Sequence, residues 1–139
     1  YLEGDPDNFS LANLVHHFKT YRSFEHLPNV HLMHYSDMQR DLCGEMKRCA
    51  AFLDIAVSED SLDAMAATAS FANMKQNADQ FVPGAGENRW KDEGRFFNKG
   101  ASGQWQADLS ADDLAVYDAR IREMLSETDV SWLENGRGA

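Results

Sequence analysis

The chain has 139 residues, of which 43% are hydrophobic and 26% are charged, and its formal net charge is −10. This is the composition of an ordinary globular domain, which excludes a disordered, collagenous or low-complexity protein. The acidic balance excludes general nucleic-acid binding and docking on an anionic membrane surface, because both require a broad basic field. No apolar run approaches the ~20 residues that a membrane-spanning helix needs.

Helices are predicted wherever apolar residues recur at helical spacing. Ser10 and Ser110 are suitable N-terminal caps for the first and last of them, because a serine hydroxyl accepts a hydrogen bond from the first turn. Residues 127–139 have no such pattern and are predicted to form a weakly ordered tail. The predicted helices cover residues 9–24, 37–54, 58–68, 70–77 and 110–125.

One short segment, residues 30–35 (VHLMHY), is predicted to be a buried strand, because it is apolar and rich in aromatic side chains. A lone strand cannot satisfy its own backbone groups, so its parallel neighbours must come from outside this chain. The chain also begins with Tyr1 rather than methionine. We therefore expect an α/β fold, of which residues 1–126 form the C-terminal, mostly helical part.

The histidines and cysteines do not predict a metal site. His31 and His34 lie three residues apart on the predicted strand, so they point to opposite faces. Cys43 and Cys49 point about 120° apart on a helix, which is too far for a disulfide or for shared ligation. Free thiols are typical of a reducing compartment, which predicts a cytoplasmic location.

Residues 79–109 lack a sustained period, and a loop of that length within a compact domain is commonly functional. Four cations against three acids give residues 87–99 a local charge of +1 on an otherwise acidic chain. Within this loop, residues 98–103 (NKGASG) fit a phosphate-binding cradle, because glycines let backbone N–H groups approach an oxyanion and lysine supplies charge. An ordinary surface turn is the alternative interpretation.

Three motifs in order resemble the sulfotransferases that use 3′-phosphoadenosine 5′-phosphosulfate (PAPS). Residues 96–105 (FFNKGASGQW) are similar to the family's Arg-Lys-Gly-x-x-Gly-Asp-Trp signature, with Asn98 in place of the arginine and Gln104 in place of the aspartate. Residues 70–77 (SFANMKQN) resemble its Thr-Ser-Phe-x-x-Met-Lys-x-Asn segment, and residues 35–38 (YSDM) its Tyr-Glu-Asp-Leu/Met. The form of the glycine motif looks more like bacterial members.

The resemblance implies a fold and a set of nucleotide-binding residues. The fold would be the C-terminal half of a domain that resembles P-loop kinases. Tyr35 and Phe71 would line the adenine pocket with Ser70 beside them, although both aromatics could also be plain core residues. Lys99 and the backbone of Gly100 would hold the 3′-phosphate of PAPS or of the product adenosine 3′,5′-bisphosphate. Asn98, in the arginine position, would keep a hydrogen bond without the charge.

The resemblance also implies what lies elsewhere. The family's 5′-phosphosulfate loop and catalytic histidine precede this region, so the chain has no predicted catalytic residue and is expected to be inactive alone. Its partners would be the missing N-terminal half and a small-molecule acceptor bearing a hydroxyl or amine. The animal enzymes' dimerisation motif is not matched at 106–115, and a homo-oligomer remains open. The alternative function is a non-catalytic helical binding module with a degenerate anion-binding loop.

Overall fold

The computed structural model describes residues 10–84, 93–97, 100–103, 105 and 108–137. These residues contain no strand, and they form two compact units. The first unit holds the described residues up to Asp37 and from Gly103 onward, and the second is Met38–Ser102. The elements are α1 Leu11–Arg22, α2 Tyr35–Arg40, α3 Leu42–Phe52, α4 Glu59–Thr68, α5 Phe71–Gln76, α6 Ala78–Phe81, a 3₁₀ helix Glu93–Phe96, α7 Ala111–Met124 and α8 Glu127–Asn135.

Serine residues cap five of these helices. In each case the hydroxyl accepts a hydrogen bond from the backbone N–H three residues later, which satisfies one of the unpaired donors of the first turn. At Ser110 the bond is reciprocal, because the Asp113 carboxylate accepts from the Ser110 N–H at 3.0 Å. The Ser110 hydroxyl also donates to this carboxylate at 2.5 Å, and this bond together with the one from the Ser110 N–H lowers the pKa of Asp113. The predicted starts at Ser10 and Ser110 are confirmed; the capping serines are Ser10, Ser58, Ser70, Ser110 and Ser126.

The core of the first unit lies where α1, α7 and α8 meet. Ile121 of α7 is completely buried, as the predicted apolar face of residues 110–125 required. Leu11, Tyr117 and Met124 are partly buried and pack against the core cluster that contains Ile121. Burial of these aliphatic side chains is the main favourable free energy holding the three helices together. The buried members of this cluster are Val15, Phe18, Ile121, Leu125 and Val130.

The C-terminal segment differs from the expected weakly ordered tail of residues 127–139. The Ser126 hydroxyl accepts from the Asp129 N–H at 3.2 Å and begins α8, and Val130 buries all but 3% of its surface. The Trp132 ring lies 5.6 Å from the Phe18 ring, and the Arg22 guanidinium lies 5.0 Å above it. The apolar spacing does not predict this helix because its apolar residues are few, although each of them packs against the core.

The predicted strand at residues 30–35 is not formed. Residues 30–34 have no regular secondary structure, and Tyr35 instead begins α2. A strand is defined by hydrogen bonds to a neighbouring strand, and the described part of the chain contains none. Here the Val30 N–H donates to the Leu27 carbonyl at 3.1 Å, and the Asp37 N–H donates to the His34 carbonyl at 3.1 Å.

The helix predicted over residues 37–54 is divided in two by Asp41. Its carboxylate accepts from the Gly44 N–H at 2.8 Å and caps α3, so α2 ends at Arg40. The sequence does not predict this break, because the apolar residues of α3 continue the spacing of the residues before it. Within the second unit, α3 packs against α4.

Polar contacts join α3 to α4. The Cys43 Sγ donates to the Asp63 carboxylate at 3.3 Å, and this bond raises the pKa of the thiol. Lys47 forms an ion pair with Glu59. Both cysteines are free, in agreement with the expected absence of a disulfide between them. None of the described helices has the length and apolarity needed to cross a membrane.

Replacing Ile121 by alanine tests the core of the first unit. The residue is completely buried, so Ile121→Ala should lower the free energy of unfolding by about 2–5 kcal/mol. Val116→Ala on the same helix is the control, because 48% of Val116 is exposed and its loss should cost under ~0.5 kcal/mol. Urea denaturation followed by circular dichroism measures both. Equal midpoints for the two variants would contradict this description of the core.

Candidate functional site

Ser70 and Phe71 lie at the start of α5, in the second unit. The Ser70 Oγ accepts from the Asn73 N–H at 3.3 Å and donates to the Ala67 carbonyl at 2.8 Å. Both of these bonds hold the helix start, so the hydroxyl has a structural role whether or not a ligand is bound. Phe71 is the first residue of α5, and the cap therefore fixes its backbone.

The Phe71 ring belongs to a small aromatic cluster. Phe97 meets it edge-on, with ring centroids 6.0 Å apart and planes at 82°. Phe96 meets Phe97 in the same way at 5.3 Å. These edge-to-face contacts are the favoured geometry for aromatic pairs. The Lys75 Nζ lies 5.8 Å from the Phe71 centroid and brings a positive charge to the ring.

Gly100 lies directly against the same ring. Its φ is +60°, in the left-handed region that side chains rarely adopt, and a Cβ built there would be 2.6 Å from the Phe71 ring. No side chain fits at that distance. The structure therefore brings together two of the predicted site residues, Phe71 and Gly100, that are separated in sequence by a long loop.

Gln39 fixes this loop. The role of Gln39 was not predicted from the sequence. The Gln39 Nε2 donates to the Gly100 carbonyl at 2.6 Å, while the Ser102 hydroxyl donates to the Gln39 Oε1 at 2.6 Å. One amide side chain thus holds both ends of the turn at residues 100–102. In the sequence, Gln39 directly follows the motif at residues 35–38, but a single glutamine at that position does not by itself indicate a function.

The remaining predicted residues are placed differently. Tyr35 belongs to the first unit and begins α2, with 52% of its surface exposed. It is therefore not a plain core aromatic within that unit, which was one of the two interpretations. Asn98 and Lys99 lie outside the described residues.

The Phe71 ring, the Gly100 backbone and the Lys75 cation lie close together in the second unit. Groups of these types are able to bind a phosphorylated aromatic ligand. Arg95, a second cation, lies on the 3₁₀ helix five positions before Gly100 in the sequence. Among the described residues, no three histidine, cysteine, aspartate or glutamate side chains are arranged to hold a metal ion.

A separate apolar cleft of about 400 Å³ opens in the first unit. The Tyr117 hydroxyl donates to the Glu134 carboxylate at 3.1 Å at its wall. Burial, together with that carboxylate, raises the pKa of Tyr117 to about 12. The six predicted nucleotide residues are absent from its described lining, which consists of Leu11, Leu14, Trp105, Leu109, Tyr117, Leu133 and Glu134.

Comparison with known families and curated proteins gives consistent matches. The family model described as "Sulfotransferase domain" matches residues 7–129. The glycolipid sulfotransferases of Mycobacterium bovis and Mycobacterium tuberculosis are each 35% identical over 128 residues, which is 92% of this chain and 39% of the relative. The amine sulfotransferase of Oryctolagus cuniculus is 29% identical over 76% of this chain. The chain therefore spans well under half the length of these relatives.

Comparison with solved structures supports the same fold. The crystal structure of mouse sulfotransferase SULT7A1 complexed with PAP matches with a TM-score of 0.69 and 22% identity. The match covers 94% of this chain and 53% of that one. Nearly all of the chain thus follows the architecture of part of that protein.

The close approach of Gly100 to Phe71 predicts the effect of a single methyl group. Gly100→Ala should lower the free energy of unfolding by about 1–3 kcal/mol, because the new Cβ meets the ring and the φ of +60° is strained. Gly84→Ala, at a turn with φ +74°, is the control for a glycine of positive φ and should cost about 1 kcal/mol. Thermal denaturation compares the two. A Gly100 variant no less stable than the Gly84 variant would rule out the close approach.

Proposed function

Since this chain belongs to the sulfotransferase family, we propose that it is the C-terminal part of a PAPS-dependent enzyme and supplies the adenine and 3′-phosphate half of its nucleotide site. Tyr35, Ser70 and Phe71 are the proposed adenine contacts. Gly100 and Lys99 would hold the 3′-phosphate, with Asn98 in the position where the family motif has arginine.

The single observation that supports this assignment is the contact between Gly100 and the Phe71 ring. Two motifs recognised separately in the sequence meet there, with the backbone of the glycine loop against the aromatic face. A base that packs against this aromatic cluster would lie beside the glycine loop, and the Lys75 cation would offset part of the charge of its 3′-phosphate. The residues present therefore fit a phosphorylated adenosine.

The proposed reaction is the transfer of a sulfuryl group. When bound, PAPS supplies an activated sulfur. The acceptor oxygen or nitrogen would form a bond to the sulfur and lose its proton to the base proposed for the N-terminal half, while the bond from sulfur to the phosphate oxygen breaks and adenosine 3′,5′-bisphosphate leaves. Such a transfer depends mostly on positioning and on neutralising charge. The residues of this chain would contribute positioning, because they grip the nucleotide at the end remote from the sulfur.

The acceptor is proposed to be a small molecule with a hydroxyl or amine group. Curated relatives carry the names glycolipid sulfotransferase and amine sulfotransferase, which include both acceptor types. A cytoplasmic location and a bacterial source also remain proposals; the free thiols of Cys43 and Cys49 support the first and the mycobacterial relatives support the second.

An alternative function is a non-catalytic binding module that keeps a degenerate anion loop. Two departures from the family motifs favour it: Asn98 in the arginine position, and Ala69 where the family usually has threonine. The two functions differ in whether the full-length protein transfers sulfate, so the following experiments separate them.

We predict that residues 1–139 alone do not transfer sulfate from radiolabelled PAPS, whereas the full-length protein does. The reason is that the phosphosulfate loop and the base are proposed to lie in the N-terminal half. The relevant measurement is label incorporation into hydroxyl and amine acceptors by both proteins. Turnover by residues 1–139 above background would contradict the proposed division, and no turnover by the full-length protein would favour the binding module.

Lys99→Ala in the full-length protein should weaken the binding of adenosine 3′,5′-bisphosphate about tenfold to a hundredfold. A charge-assisted contact of this kind contributes ~1.5–3 kcal/mol, and the effect should shrink at high salt because part of it is Coulombic. Lys19→Ala is the matched control, because Lys19 is an exposed lysine in the last turn of α1. Calorimetry measures the affinity of both variants for the bisphosphate. Equal affinities would show that residues 98–103 do not form a phosphate-binding cradle.

A further inference from the structure

The residues around Tyr35 are fastened to the end of α8 within the first unit. The His34 Nε2 lies 3.0 Å from the Leu133 carbonyl oxygen, and because a carbonyl only accepts, this nitrogen carries the hydrogen. The opposite ring nitrogen, Nδ1, accepts from the Ser36 N–H at 3.1 Å. The same ring meets Trp132 edge-on at 5.2 Å. Both ring nitrogens of His34 are therefore hydrogen-bonded, and the ring itself packs against Trp132.

Asp37 makes a second connection to the same region. Only 6% of Asp37 is exposed, and its Oδ2 accepts from the Arg137 N–H at 3.1 Å. The Arg137 Nε lies 3.7 Å from the same oxygen, which adds an ion pair. A carboxylate this deeply buried is retained at a desolvation cost, which the two contacts offset.

Gly136 allows the two segments to come this close. It ends α8 with φ +80°, and a Cβ there would lie 2.7 Å from the Asp37 Oδ1. Glycine is thus required both by the backbone conformation and by the carboxylate beside it. We refer to residues 132–137, which make all of these contacts, as the C-terminal clasp.

Tyr35 lies between the two residues that the clasp holds. Its neighbour His34 and the following Asp37 are fixed, whereas 52% of Tyr35 itself is exposed. An aromatic side chain on a fixed backbone loses little conformational freedom when it contacts a ligand, which favours binding. This arrangement presents the ring without burying it in the core of the unit.

We infer that the C-terminal clasp positions Tyr35 for the nucleotide base, with Asp37 and Gly136 as positioning residues that do not touch the ligand. The inference rests on the proposed function, because it assumes that Tyr35 contacts adenine. It extends that function by assigning a role in base recognition to the end of the chain, which contains none of the family motifs identified in the sequence.

The test compares two ligands in the full-length protein. Asp37→Ala should weaken the binding of adenosine 3′,5′-bisphosphate about fivefold to twentyfold. The binding of ribose 3,5-bisphosphate, which has no base, should change less than about twofold, because its phosphate contacts are unaffected. Asp37→Asn keeps an oxygen that can accept from the Arg137 N–H and should restore most of the affinity. Gly136→Ala should behave like Asp37→Ala.

The control is Val130→Ala, which removes buried volume from the same helix without touching the clasp. It should lower thermal stability and leave both affinities unchanged. Hydrogen exchange at residues 34–37 provides a readout independent of ligand, and Asp37→Ala should speed it about tenfold relative to Val130→Ala.

The outcomes separate the inference from the proposed function. Equal weakening of both ligands, or equal effects of Asp37→Ala and Val130→Ala, would overturn the inference while leaving the proposed function intact. Unchanged hydrogen exchange would also overturn it. A wild-type protein that binds neither bisphosphate would overturn the proposed function together with the inference.

Discussion

The backbone of Gly100 and the face of the Phe71 ring occupy adjoining space with no room for a side chain between them. This contact determines how the second unit is assembled around its loop. The Gln39 amide fixes the same turn through the Gly100 carbonyl, and the Phe97 ring packs against the Phe71 ring at nearly a right angle. These contacts hold together three parts of the unit that are distant in sequence: a helix, a helix cap and a glycine turn.

The helix starts were the most predictable part of the fold, for a local reason. A serine followed three residues later by a free backbone N–H forms its cap within four residues, so Ser10 and Ser110 could be identified without knowing the tertiary structure. The burial of Ile121 followed equally directly from apolar spacing. The break at Asp41 was harder to predict from the sequence. Asp41 caps α3, but the apolar spacing continues on both sides of it and indicates one continuous helix.

The features that were mispredicted or missed depend on partners distant in sequence. A strand at residues 30–35 would exist only beside another strand, and the segment instead continues into α2. The C-terminal helix has few apolar residues, but Trp132 finds Phe18 and Arg22 far away along the chain. In the site, Ser70, Phe71 and Gly100 could be named from the family resemblance. Gln39 could not, because its role is visible only when Gly100 and Ser102 are beside it.

The first unit is discontinuous in sequence, since the whole of the second unit intervenes between its two segments. The hydrogen bond from His34 to the Leu133 carbonyl joins residues 99 positions apart. Closing so long a loop carries an entropy cost that local capping bonds do not have. During synthesis, Val15 and Phe18 can therefore reach their partners on α7 and α8 only after the whole of the second unit has left the ribosome. The first unit is thus the later of the two to be completed.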